Sequence, residues 1–73
     1  MRQMPKLSLL REGAKRRYDH HLREVRALLT DADSEHQRGN HGGAANKLEA
    51  SLIAVSSAAG AARELELLYA IEE

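Results

Sequence analysis

The sequence predicts an all-α fold: an antiparallel two-helix hairpin, coiled-coil-like, forming one domain. Three observations carry that prediction. The chain is rich in Ala, Leu, Glu and Arg and has no Phe or Trp, whereas strands draw on aromatic and β-branched residues. Apolar residues recur in steps of three and four on both sides of one break, which places them on a helical face. The break itself, Gly39-Asn40-His41-Gly42-Gly43, gathers three of the five glycines. Each glycine costs about 1 kcal/mol inside a helix, so this is where the chain turns.

The first helix is expected over about residues 7–38, on the row Leu7, Leu10, Ala14, Tyr18, Leu22, Val25, Leu29 and Ala32. Pro5 suits a first helical turn, where its missing N–H is not needed. The segment Thr30-Asp31-Ala32-Asp33-Ser34 is the weak stretch, because these side chains compete for backbone hydrogen bonds, and the sequence leaves open whether the helix runs unbroken past Thr30. Gly39 follows Arg38 at the position where a left-handed residue closes a helix. The turn is assigned to residues 39–43 and the second helix to about 44–71, on the row Ala45, Leu48, Leu52, Val55, Ala59, Ala62, Leu65 and Tyr69. Helices of such similar length, roughly 40–45 Å at 1.5 Å per residue, pair along their whole extent.

Folding about His41 sets Leu29 against Leu52 and Ile53, Leu22 against Ala59 and Gly60, and Tyr18 against Ala62 and Leu65. Large side chains then face small ones, as interdigitated layers require. The run Ser56–Ala62 admits two readings, close approach of the hairpin's own first helix or of a helix from another protein, and the internal use is favoured. Charge supports the same pairing. Residues 1–26 carry eight Lys/Arg against three Asp/Glu, and residues 27–73 carry three against eight. The hairpin lays the basic start of the first helix beside Glu64, Glu66, Glu72 and Glu73.

A chain of 73 residues without cysteine has little core of its own and no disulfide or thiolate metal site to reinforce it. Partner binding is the expected source of further stability. Leu28, Ile53, Leu67, Leu68 and Ile71 fall off the two apolar rows, with Ser57 and Gly60 among them, and are the expected partner-binding residues. No apolar run is long enough to cross a membrane or serve as a signal peptide, and a cytosolic location is expected.

Chemistry is not expected. Of the four histidines, no two have the i, i+3 or i+4 spacing of a helical metal site. His20 has that spacing only with Glu24, and His36 reaches His41 only across the turn. Asp31, Asp33 and Glu35 lack the glycine and the later bidentate Glu of a calcium loop. No catalytic residue, metal or cofactor is assigned. Lys15, Arg16, Arg17, Arg23 and Arg26 form the best nucleic-acid feature, and the alternative reading is a homodimeric four-helix bundle binding nucleic acid through them. Zero net charge and the scatter of these cations around the helix weigh against it. A structural hairpin with no dedicated partner is the third reading.

From Leu10 to Ile71 the chain resembles the small helical-hairpin co-chaperones of type III secretion needle subunits. The likeness rests on the charged Arg11-Glu12-Gly13-Ala14-Lys15, the Arg38-Gly39 entering the turn, the Leu48-Glu49-Ala50 of the second helix and the aromatic Tyr69 near its end. The centre of the second helix, rich in Ala, Ser and Gly, departs from that pattern. The resemblance implies a protein of the bacterial cytosol that binds a larger tetratricopeptide-repeat chaperone. Through it, the pair would keep the needle subunit soluble and monomeric before export.

Overall fold

A computed structural model describes residues 4–71. Two α-helices, α1 (Met4–Gln37) and α2 (His41–Ala70), pack side by side as an antiparallel hairpin. Its extents are 59 × 14 × 11 Å and its radius of gyration is 16.8 Å. A compact domain of this length would have a radius of about 11 Å. The molecule is therefore a rod with no enclosed centre.

The turn is shorter than the assigned 39–43. It comprises Arg38, Gly39 and Asn40, and helix resumes at His41. Gly39 has φ +81°, the left-handed conformation expected of it. Asn40 is the reason for the early restart. Its side-chain oxygen accepts from the Gly43 N–H at 3.0 Å, capping α2, and its Nδ2 donates to Glu35 at 2.9 Å. A Cβ on Gly43 would lie 2.5 Å from that Nδ2, so Gly43 makes room for the cap. Gly42 and Gly43 thus sit in the first turn of α2, not in the loop.

α1 runs unbroken through Thr30–Ser34. Thr30 Oγ1 donates to the Arg26 carbonyl, and Gln37 donates to Asp33. These polar side chains bond along the helix and do not interrupt it.

The seam on α2 differs from the expected row by one residue, a rotation of about 100°. The buried positions are Ala44, Ser51, Ala54, Ala58 and Ala61. With Lys47, Leu65 and Leu68 they make a continuous 3–4 heptad row. On α1 the row is Leu7, Arg11, Ala14, Tyr18, His21, Val25, Leu28, Ala32 and Glu35, with Ala14 and Ala32 buried. Leu10, Leu29, Leu48, Leu52, Val55 and Tyr69, all expected inside, are exposed. Two helices cannot enclose a Leu, since either flank of the seam stays open to water. Methyl groups let the helices approach closely, and neighbouring side chains can then cover them. The expected opposition of large and small survives in a new register, which puts Tyr18, His21, Val25 and Leu28 of α1 across from Ala61, Ala58, Ala54 and Ser51 of α2. Part of the Ser56–Ala62 run is spent this way, but Ser56, Ala59, Gly60 and Ala62 face outward.

Polar contacts fix that register. Arg17 bonds Glu64 at 2.8 Å, and Lys47 lies 3.9 Å from Asp31. At the open end the Arg11 guanidinium donates to the Leu68 and Ile71 carbonyls and stacks 4.6 Å above the Tyr69 ring. It thereby gives the Ile71 carbonyl a donor and adds one to the Leu68 carbonyl, which also accepts from the Ile71 N–H. The basic start of α1 does meet Glu64 as expected, but Glu66 pairs with Arg63 of its own helix at 2.6 Å, and Glu72 and Glu73 lie outside the described residues. Buried Ser51 donates to the Leu48 carbonyl at 2.7 Å, so the polar group in the seam is satisfied.

Candidate functional site

With alanines filling most of the seam, the large apolar side chains of α2 other than Leu65 and Leu68 lie on its outer surface in two strips, one on each side of the seam. The first strip combines Leu22 and Leu29 of α1 with Leu48, Leu52 and Val55 of α2, continued by Ala59 and Ala62. A groove of about 290 Å³ runs between its helices, lined by Leu29, Ala32, Asp33, His36, Ala44 and Leu48. The second strip carries Ile53, Leu67 and Ile71 of α2 with Leu10 of α1. Its groove, about 390 Å³, is floored by Leu28, Ala50, Ala54 and Ser57 and edged by His21, Glu24 and Ile53.

The five residues assigned to partner binding divide between the seam and the second strip. Ile53 and Leu67 are 72% and 62% exposed, and Ile71 is half exposed. Leu28 and Leu68 instead occupy seam positions and are half-buried. Leu28 had been placed off the seam because Leu29 was taken for its position on α1, and Leu68 because the row on α2 was set one residue too far along. Sequence reasoning missed Leu48, Leu52 and Val55 as surface residues for the same reason.

Between Ile53 and Leu67 lies Gly60, so the line 53–60–67 reads large, absent, large at heptad spacing. Nothing lies within 4 Å of where a Gly60 Cβ would be, and its backbone is ordinary helix. No contact inside the hairpin requires glycine there, although it costs the helix about 1 kcal/mol.

The total surface points the same way. The chain exposes 5413 Å², whereas a compact monomer of 8.1 kDa would expose about 4,500 Å². The surplus is mostly rod shape, and the large apolar residues left outside are leucines, isoleucines, a valine and Tyr69.

The polar groups form smaller clusters. His20, His21 and Glu24 bring one donor atom each to within 4.8 Å of one another, the group among the described residues that could hold a metal ion. His21 Nδ1 lies 2.8 Å from Glu24, and that hydrogen bond holds the Glu24 carboxyl below its ordinary pKa. All of this cluster is on one helix, and Glu24 and His20 face water. Sequence spacing had shown His20 with Glu24 but not the i, i+3 pair that His21 adds. The His36 and His41 rings do meet across the turn, with centroids 5.1 Å apart. Glu35 is held below its ordinary pKa by hydrogen bonds from Arg38 and Asn40.

The five cations of the nucleic-acid alternative do not converge. Lys15 and Arg26 border the first strip, Arg16 and Arg23 lie on the back of α1, and Arg17 points to the second strip, where Glu64 takes it. Phosphate binding gains from cations sharing one face, which this arrangement lacks. Among the described residues, no helix is long and apolar enough to cross a membrane. No family model matches the chain, and no curated protein or solved structure is significantly similar to it.

Proposed function

We propose that the chain is a protein-binding rod: a small co-chaperone that docks on a larger tetratricopeptide-repeat chaperone and, through it, helps keep a secretion needle subunit soluble and monomeric. The resemblance in sequence supplies the identity of the partner. The observation that carries the binding role is the second strip, where exposed Ile53 and Leu67 flank the notch at Gly60. Two apolar ridges with a gap between them accept the ridge of another helix, the packing by which helical repeats receive ligands. A glycine that weakens its own helix and relieves no internal contact is explained by the close approach of a neighbour. The hairpin would stabilise the chaperone by mass action, each partner favouring the folded form of the other.

Tagged protein captured from its native cells, with the retained proteins identified by mass spectrometry, tests the reading. Recovery of a repeat-protein chaperone together with a small helical subunit is the expected result. Gly60→Leu should fill the notch and abolish that recovery while the hairpin keeps its helical circular dichroism. Recovery of this chain alone would sink the co-chaperone role, and so would retention of the chaperone by both Gly60→Leu and an Ile53→Glu/Leu67→Glu double variant.

A further inference from the structure

The first strip lies on the opposite side of the seam from the surface just assigned. We propose that a second copy of this chain covers it, giving an antiparallel four-helix bundle in which α1 packs on α1 and α2 on α2.

Self-complementarity is the main reason for choosing a second copy. A two-fold interface presents the same patch twice, so the patch must fit its own image after rotation. On α2 the strip is divided by size. Leu48, Leu52 and Val55 fill the half nearer the turn, and Ala59 and Ala62 lie just beyond the middle, before Glu66 and Tyr69 toward the open end. An axis crossing the rod between Val55 and Ala59 lays Leu52 and Val55 of each copy on Ala62 and Ala59 of the other, with Leu48 meeting Glu66 farther out. The register given by Arg17–Glu64 and Arg11–Leu68 puts that same level at Leu22 on α1.

Charge places the axis independently. Asp19 and Arg26 border the strip on α1, three residues before and four residues after Leu22. Rotation about Leu22 sets each Asp19 beside the Arg26 of the other copy, twice over. At the ends of the strip Glu12 falls opposite Asp33, with Lys15 beside Glu12 to offset them. Opposite charges thus lie nearest the axis, where both copies hold them most firmly.

In this arrangement Ile53, Gly60 and Leu67 stay on the outside of the bundle, so dimerisation and docking on a chaperone use separate faces.

Sedimentation equilibrium of the full chain is expected to give twice the 8.1 kDa chain mass. Leu52→Glu should weaken association by roughly 30-fold or more, and Ile53→Glu, the next residue but on the other strip, should leave it unchanged. Because the chain has no cysteine, Leu22→Cys gives a clean report on the axis: mild oxidation should link two copies, whereas Leu29→Cys should not link. Reversing the pair as Asp19→Arg with Arg26→Asp should restore the association that either change alone weakens. A monomer at micromolar concentration, a dimer broken by Ile53→Glu but not by Leu52→Glu, or a Leu22→Cys protein that does not cross-link would overturn the proposal. Capture of a chaperone reports on the second strip alone, so either reading can fail while the other stands.

Discussion

The inner and outer surfaces of α2 invert the usual order of sizes. Inside are Ala44, Ser51, Ala54, Ala58 and Ala61, while Leu48, Leu52, Ile53, Val55 and Leu67 are outside. In a domain with a closed core the large side chains would be buried, since each contributes about 1.5–3 kcal/mol there. A two-helix rod has no closed core, so it gains more from close approach than from bulk. The helix is thereby divided: its small residues specify the hairpin, and its large ones lie on the exposed surface.

The sharpest way to break this division is to place bulk in the seam. Ala58→Leu should overpack it and destabilise the hairpin by about 1–3 kcal/mol, whereas Ser56→Leu, on the back of the same helix, should stay within about 0.5 kcal/mol. Thermal unfolding followed by circular dichroism reads both. Equal effects would mean that the alanines are not the determining contacts.

The turn offers the next test. Asn40→Ala removes the cap from Gly43 and the tie to Glu35, and should cost about 1 kcal/mol in the same experiment. On the outer surface the sign reverses. Gly60→Ala should stabilise the isolated protein by close to 1 kcal/mol, because no neighbour stands in its way. A loss of stability there would reveal a contact of Gly60 within the protein itself.

The smallest effect is electrostatic. Glu35 has its pKa lowered by Arg38 and Asn40, so its contribution is present above the ordinary carboxylate pKa. It is lost as pH falls through the lowered folded value. Side-chain NMR titration should find Glu35 below the ordinary range, and Arg38→Ala should return it upward.

Much of the fold was legible because its determinants are local. Gly39 with Asn40 marks the turn, and the scarcity of β-formers excludes a sheet. The seam of α2 was not legible from periodicity, since two rows step by threes and fours. The row through Leu48, Leu52 and Val55 is the more hydrophobic, and the row through Ala54, Ala58 and Ala61 is the one that packs. Period tells which residues share a face but not which face a neighbour can approach. That choice depends on steric fit, for which an unbroken row of small residues is the signal. The same difficulty drew Leu28 and Leu68 into the expected partner surface, whereas Ile53, Leu67 and Ile71 lie off both rows and are exposed on any choice between them.

Arg11 has a dynamic consequence. A hairpin unzips most cheaply from the end that no covalent turn holds, and there Arg11 bridges to the carbonyls of Leu68 in α2 and of Ile71 just beyond it, and covers Tyr69. This one side chain acts as a clasp opposite the loop, so fraying must release it before amides further in begin to exchange with solvent. Tyr18 lies in the seam well inside the clasp, and with no Trp in the chain the two tyrosines become separate reporters. Tyr69 should sense the clasp opening and Tyr18 the parting of the rod.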